Sequence, residues 1–453
     1  MKRRIPKWLR FDNPLLAIEP WRMHLFTLPR IALSRIRARP PKEHYWSLRE
    51  HLGRLSRLSG QDRFARLVWQ DQWRYLRGGV QPVDGACRQR AHAAAEWLVR
   101  AWEATRDDGV SMGYFPCDPP GRSPTGNGWR PSYPETTGYI IVSLLDYAIR
   151  FSNALMRERV VAMGRWEAEA QMPSGAVQGG AITTPNQQRP AVFNTGMVLH
   201  GFTALMTHES DPQIEQAARR AADFLISDMD ADGHLRTHGA FVAAQPIKTY
   251  NCLCAWGLHR FGELTREPLY REAALRLALA SMALQRPNGW FPHNCLERED
   301  APLTHTIGYT LQGLLETGHA AAEPRLIDAA RRGMLPILDA ISPNGFLPGR
   351  FHADWSPASF SSCLTGSAQL AIVCFRLYQI LGETAFLEAG HRLLDFLKGL
   401  QVIDPPDSPM RGALAGSFPL FFGEYQSAGF PNWATKYLLD ALLLQDRIIE
   451  GRR

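Results

Sequence analysis

Side chains that can move protons occur in short loops spread along the whole chain. Glu135 lies between Tyr133 and Tyr139, and His305 lies four residues before Tyr309. A carboxyl group, an imidazole and phenols are side chains that serve as general acids and bases. Glu135 also fits a purely structural role, because a carboxylate is favoured at the positive end of a helix. The residues alone leave both roles open.

Other loops carry the remaining candidates for catalysis and for substrate binding. Asp354 and Glu424 are further acids, and either of them with Glu135 would form the carboxylate pair that glycosidases use. The expected substrate-binding side chains hold anionic groups, or stack on sugar rings and on apolar ligands alike. They are Arg189, Asn194, Tyr250, Trp290, His293, Arg350, His352, Trp355, Tyr425, Trp433 and Lys436. Of these, Arg350 and Lys436 are expected to hold a carboxylate.

Each of these loops precedes an apolar segment, and the apolar segments recur at a regular spacing. The equivalent positions Gly138, Gly196, Cys252, Gly308, Gly366 and Ala434 are 58, 56, 56, 58 and 68 residues apart. Between them lie more polar, amphipathic segments at 89–106, 156–170, 212–228, 267–284, 325–340 and 384–400. A helix that is apolar on all sides is buried, whereas one with a charged face lies outside. The sequence therefore predicts an all-α (α/α)6 toroid, with the loops before the inner helices gathered at one end.

Charge divides the chain into two parts. Residues 1–60 contain 14 Lys and Arg against 4 Asp and Glu, whereas the whole chain has a net charge of only +7. We predict a basic, amphipathic N-terminal arm at 1–80 and the toroid at 81–453. The arm is expected to pack outside the ring, and contact with an anionic membrane surface or an acidic partner is the alternative. Nucleic acid is not an expected partner, since no nucleic-acid-binding module accompanies the arm.

Several sequence features bear on compartment and cofactors. No apolar run reaches the ~20 residues that a membrane-spanning helix needs, and no apolar stretch follows the basic N-terminus as in a signal peptide. The seven cysteines lack metal-site spacing, which favours reduced thiols. Asp228–Asp232 resembles a calcium loop only in part, because Gly239 stands where that loop needs a glutamate. We predict a cytoplasmic protein, at most peripheral to the inner membrane, without metal or cofactor.

The repeat and its loop motifs resemble a known group of proteins. The motifs are YPETTGYI at 133–140, FNTG at 193–196, THTIGY at 304–309, SCLTG at 362–366 and PNWA at 431–434. They resemble α/α-toroid proteins from bacterial exopolysaccharide gene clusters. Related toroids include uronyl C5-epimerases, lyases and glycosidases, as well as squalene-type terpene cyclases. A terpene cyclase carries an Asp-x-Asp-Asp acid on an inner helix, and none of the apolar segments here has one.

The resemblance and the loops together predict a function in polysaccharide biosynthesis or modification. We expect an enzyme that acts on an anionic, uronate-containing glycan or a lipid-linked saccharide by acid–base chemistry. In glucuronyl C5-epimerases a Glu-Tyr-Pro stretch opens an inner helix, and residues 133–135 have the same residue types in another order. C5-epimerisation, elimination and hydrolysis are not separated by the residues. A glycan-binding scaffold without catalytic activity is the main alternative, and a terpenoid-cyclase-like protein is the weaker one.

Overall fold

The computed structural model describes residues 52–58, 60–119, 121–123, 127–236, 238 and 247–451. Helix α1 (Asp62–Leu76) precedes α2 (Cys87–Glu103). The chain continues with α3 (Pro134–Arg150), α4 (Ala154–Ala170), α5 (Val192–Met206), α6 (Pro212–Asp228), α7 (Leu253–Thr265), α8 (Pro268–Ala283), α9 (Thr304–Ala320), α10 (Pro324–Ala340), α11 (Leu364–Leu381), α12 (Thr384–Leu400) and α13 (Asn432–Ile449). Short strands are β1 (Gly113–Tyr114), β2 (Ser362–Cys363), β3 (Ser417–Phe418) and β4 (Phe430–Pro431).

The helices form two concentric rings, which confirms the predicted (α/α)6 toroid. In the inner ring α3, α5, α7, α9, α11 and α13 contact one another in this order, and α13 returns to α3. Outside them, α4, α6, α8, α10 and α12 each pack on the inner helix that precedes them, whereas α2 packs on α13. The loops before the inner helices meet at one end of the ring, called the mouth below. There β1 pairs with β4, and β2 pairs with β3.

The small residue at the start of an inner helix lets the neighbouring inner helix approach closely. A Cβ added at Gly138 would lie 2.6 Å from the Cα of Val198 in the next inner helix. One added at Gly366 would lie 2.6 Å from the backbone nitrogen of His305. Both distances are shorter than any normal contact, so only glycine fits. Glycine at these two positions is therefore a requirement of ring packing.

Threonines near these glycines bind the loops of the mouth to the ring. Backbone N–H groups donate to threonine hydroxyls at 2.9 Å in three repeats, from Val110 to Thr137, Val177 to Thr195 and Leu414 to Thr435. Thr136 and Thr137 lie inside α3 and are not its cap residues. Instead Tyr133 occupies the cap position of α3, and both threonine hydroxyls donate back to its carbonyl oxygen. They hold the preceding loop in place, because their side chains lie within the first turn.

Helix α1 packs on the mouth of the ring. Buried Asp71 accepts a 2.5 Å hydrogen bond from the backbone of Leu420, and the Tyr75 hydroxyl donates to the carbonyl of Phe360 at 2.8 Å. The ring of Phe64 packs edge-on against Phe430. The described part of the predicted 1–80 arm thus braces the loops that surround the mouth. Residues 1–51 of that arm, and position 239 of the calcium-loop pattern, lie outside the described residues.

Two further features bear on the sequence predictions. Contrary to the expectation that no segment is long and apolar enough to cross a membrane, α11 meets both criteria, with 18 residues and a mean hydropathy of 1.3. It is an inner helix with 72% of that window buried in the protein, as expected for a core helix of the ring. All seven cysteines are buried and free, in agreement with reduced thiols.

Candidate active site

A cavity of about 510 Å³ opens at the mouth, and residues from several loops line it. Most of the lining residues were expected from the sequence, and all of these come from the loops before the inner helices or from the first two turns of those helices. They are Tyr133, Glu135, Tyr139, Asn194, Tyr250, His305, Tyr309, Arg350, Glu424, Tyr425 and Trp433. The remaining lining residues are Met112, Gly180, Ala181, Phe193, Leu296, Glu297, Leu303 and Gln426. The ring therefore brings acids, a base, phenols and a cation together in one space.

Glu135 lies in the first turn of α3 and is half-buried in the cavity wall. Its carboxylate makes no ion pair or hydrogen bond with any other residue that the structure describes. Removal from water without a compensating partner disfavours the charged form. Burial accordingly raises the pKa of Glu135 from 4.5 to about 8. The side chain is therefore mainly a neutral acid at pH 7, able to donate a proton.

His305 lies in the first turn of α9 and is held in one orientation by α11. Its Nδ1 is 2.7 Å from Oε1 of Gln369, and since that oxygen only accepts, Nδ1 carries the proton. Burial lowers the pKa of His305 to about 4. The imidazole is thus neutral at pH 7, with an unprotonated Nε2 that no described residue hydrogen-bonds. Such a nitrogen is ready to accept a proton.

Tyrosines surround the two groups. The His305 ring lies 4.4 Å from the Tyr309 ring and 5.5 Å from the Tyr425 ring, measured between centroids. Tyr139 packs on Tyr437 at 5.7 Å. Burial, and the proximity of Glu135 as a lesser cause, raise the pKa of Tyr139 well above its usual value. A side-chain hydrogen bond with Tyr309 partly offsets this rise in the pKa of Tyr139. The hydroxyls of Tyr139 and Tyr309 are buried in the cavity wall, where a ligand can reach them.

Arg350 supplies a cation to the cavity wall. Its Nε lies 3.2 Å from Oε2 of Glu424, and its Nη1 donates to the carbonyl of Ala301 at 2.7 Å. Both side chains of this ion pair are largely shielded from solvent. Nη2 has no hydrogen-bond partner in the described chain.

Gln426, which also lines the cavity, has a φ of 47°, a left-handed conformation that costs free energy and is common at functional sites.

The structure places Asp354 and His352 away from the cavity, on the outer side of their loop. The loop closes in a tight turn, in which His352 N–H donates to the carbonyl of Ser356 at 2.9 Å. Exposed Asp354 accepts from the hydroxyl of Ser356 at 2.5 Å. Nδ1 of His352 lies 3.0 Å from the carbonyl oxygen of Asp300. Local hydrogen bonds direct both side chains, which the spacing along the chain does not reveal.

Trp290 and Trp355 pack on each other instead of lining the cavity. Their ring centroids are 5.1 Å apart in an edge-on arrangement, and Trp355 Nε1 donates to the carbonyl of Asn288 at 2.9 Å. Trp355 has a φ of 63°, which turns its side chain back towards the preceding loop. These two tryptophans stabilise the contact between two mouth loops.

Three more expected binding residues lie elsewhere. Arg189 is exposed, and its Nη1 donates to the carbonyl of Gln188 at 2.8 Å. Nδ1 of His293 lies 3.0 Å from Oε1 of Glu299. Lys436 lies behind the cavity wall, where its Nζ is 2.7 Å from Asp440.

Lys436 therefore contacts the cavity only through aromatic rings. Its Nζ lies 3.9 Å from the ring centre of Tyr437 and 5.0 Å from that of Tyr139, and burial lowers its pKa. A cation over the face of a phenol ring is stabilising. Lys436 supports the two tyrosines from behind rather than touching a ligand.

Sequence reasoning missed Gln369 and Tyr437. Gln369 and Tyr437 each follow the small residue of their repeat by three positions, where the helix turns the side chain inward. The available signal for Gln369 was an amide side chain among apolar neighbours, since Ala368, Leu370 and Ala371 flank it. Glu297, in the loop before α9, is an exposed carboxylate at the edge of the cavity.

Comparison with known proteins bears on the fold. No protein-family model and no curated protein matches the chain. Among solved structures, an unsaturated glucuronyl hydrolase specific for heparin matches with a TM-score of 0.62 and 14% identity, covering 80% of this chain and 98% of that one. The unsaturated glucuronyl hydrolase of Bacillus sp. GL1 matches at 0.60 and 18%, covering 81% and 97%. Cellobiose 2-epimerase from Spirochaeta thermophila DSM 6192 matches at 0.59 and 14%, covering 80% and 98%. At these identities the likeness establishes the shared toroid fold.

Proposed function

We propose that this protein is a glycan-active enzyme that moves a proton on an anionic, uronate-containing sugar bound in the mouth cavity. The observation that carries the proposal is the Glu135 carboxyl, which lies in the cavity, forms no ion pair with any residue that the structure describes and has a pKa of about 8. A neutral carboxyl group donates a proton at pH 7 and does not repel an anionic substrate.

His305 is the matching base. Because Nδ1–H of His305 donates a hydrogen bond to Gln369, Nε2 is the nitrogen that takes a proton from the substrate. A low pKa keeps this nitrogen unprotonated at neutral pH. Glu135 and His305 form a pair with opposite protonation states, as acid–base catalysis requires.

Arg350 is the group that binds the sugar carboxylate. When a base removes the proton next to a carboxylate, negative charge develops on the carboxylate oxygens, and an N–H donor lowers the barrier. Nη2 of Arg350 is available for this bond, while Glu424 fixes the guanidinium. The hydroxyls of Tyr139 and Tyr309 complete the set of donors.

Removal and return of the proton at C5 is the reaction that this set supports best. Elimination shares the first step and differs only in the loss of a leaving group. Hydrolysis is a second candidate, because Glu135 and Glu424 line the same cavity as a carboxylate pair would. The two glucuronyl hydrolases and the epimerase among the structural neighbours fit these alternatives. The resemblance to exopolysaccharide-cluster proteins is the support for a biosynthetic setting.

The test is deuterium uptake at C5, followed by NMR in heavy water over a panel of uronate-containing bacterial polysaccharides. Glu135→Gln should lower the rate of uptake by about 10²- to 10⁴-fold, the contribution of a general acid or base. The control is Glu272→Gln, an exposed carboxylate on the outer helix α8, which should leave the rate unchanged.

Chain length is measured in the same samples. Shortening of the glycan without C5 label would replace epimerisation by hydrolysis or elimination. Binding without label uptake or shortening would show a glycan-binding subunit instead of an enzyme.

A further inference from the structure

Helix α1 exposes two tryptophans on the side that faces away from the ring. Trp69 is 69% exposed and Trp73 is 55% exposed, although both are large and apolar. The buried positions of α1, such as Phe64 and Val68, lie on the opposite side of the helix and contact the mouth loops. Exposed apolar groups of this size mark a surface that binds a partner.

Arginines surround the tryptophans. Arg66, Arg74 and Arg77 are exposed on α1, and the guanidinium of Arg77 lies 4.6 Å from the ring centre of Trp73. Arg63 is neutralised by Asp407 at 2.9 Å, and Asp62 is the exposed carboxylate of the helix. The face formed by Arg66, Trp69, Trp73, Arg74 and Arg77, called the Trp–Arg face below, is therefore positively charged.

We propose that the Trp–Arg face binds the surface of an anionic lipid membrane. Tryptophan favours the headgroup region of a bilayer, and arginine binds lipid phosphates there. The N-terminal segment of this chain and a second copy of the protein are two other occupants, and both carry the wrong charge. Residues 1–60 have 14 Lys and Arg against 4 Asp and Glu, and a second copy would present the same basic face. An anionic surface complements both the face and the arm.

The position of α1 gives this contact a consequence for the cavity. Asp71 of α1 accepts from Leu420, four residues before the cavity residue Glu424. The face thus sits at the mouth end of the ring. Membrane binding would place the opening of the cavity next to the lipid headgroups, where membrane-attached saccharides are found.

The test is co-sedimentation of the full chain with vesicles of phosphatidylcholine, with and without phosphatidylglycerol. Binding should require phosphatidylglycerol. The double variant Trp69→Ser/Trp73→Ser should lower the partition coefficient at least about tenfold, given the transfer free energy of two large side chains. The control is Leu155→Ser/Leu269→Ser, since both leucines are 57% exposed at the starts of outer helices, at the end of the ring away from the mouth.

Several results would overturn the proposal. One is that the tryptophan variant binds vesicles as tightly as the wild-type protein does. Another is that the wild-type protein binds neutral and anionic vesicles equally, or binds neither. A change in oligomeric state of the variant, seen by size-exclusion chromatography, would assign the face to a second copy. Unchanged thermal unfolding of both variants checks that they are folded. No glycan is present in this assay, so its outcome is independent of the proposed reaction.

Discussion

Replacing Glu135 by glutamine should make the protein more stable at neutral pH while removing its activity. In the folded protein the pKa of Glu135 is raised from 4.5 to about 8. Between these values the unfolded chain is ionised and the folded chain is still protonated. Folding then requires uptake of a proton, so the wild-type protein loses stability as the pH rises through this window. Glutamine has the same shape and no proton to take up.

The size of the effect follows from the shift in pKa. Each unit of pKa difference is worth about 1.36 kcal/mol. The free energy of unfolding of Glu135→Gln, relative to wild type, should therefore rise by about 3 kcal/mol between pH 5 and pH 7.5. Above about pH 8 both states are ionised and the difference should level off.

Urea unfolding of both proteins across this pH range measures the effect, with Glu272→Gln as the exposed control. The difference in free energy of unfolding between Glu272→Gln and wild type should stay constant with pH. A Glu135→Gln difference that is equally independent of pH would show that the carboxyl is not held neutral. The proposed role of Glu135 as a proton donor would then be refuted as well.

Three more predictions concern the site and the ring. The rate of the catalysed reaction should be highest between about pH 4 and pH 8, because His305 must be unprotonated and Glu135 protonated. A pH–rate profile that does not fall below about pH 4 and above about pH 8 would contradict the assignment. Arg350→Gln leaves the mostly buried Glu424 without its cation, so it should lower the free energy of unfolding by about 3–5 kcal/mol and raise KM for uronates. Arg331→Gln breaks a half-exposed ion pair and should cost about 1 kcal/mol or less, with both variants measured by urea unfolding. Gly366→Ala should destabilise the ring by about 1–3 kcal/mol, because the new Cβ would lie 2.6 Å from the His305 backbone. Gly257→Ala should cost less, because the nearest atoms to its Cβ would be 3.3 Å away. Equal melting temperatures for the two variants would contradict the packing argument.

The ring was predictable from the sequence because its physical requirements repeat. Each inner helix needs an apolar surface on all sides and a small residue where the next helix approaches, as Gly138 and Gly366 show. These requirements leave a period in the sequence. The loops before the inner helices gather at one end of the ring, so Glu135, His305 and Tyr309, in the first two turns of those helices, were predicted to lie together and do so.

The loops were less predictable because single hydrogen bonds and backbone angles direct their side chains. Arg350 and Asp354 are four residues apart, yet the first faces the cavity and the second faces solvent. The turn at 352–356 separates them. It depends on a left-handed backbone conformation at Trp355, which the residue preferences of tryptophan do not predict. Asp71 shows the same limit at a larger scale. Its buried bond to Leu420 joins α1 to the mouth, although the composition of residues 1–80 set them apart as a basic arm.

The way in which the ring closes has a consequence for how the protein acquires its site. Helix α2 packs on α13, and β1 pairs with β4, so residues more than 300 positions apart in sequence complete the circle. Glu424, Tyr425 and Trp433, which line the cavity, belong to this last segment. During synthesis the early helix pairs emerge first, and their inner surfaces stay uncovered until the final helix arrives. Formation of the cavity is therefore a late step, and the same event that buries the core creates the site.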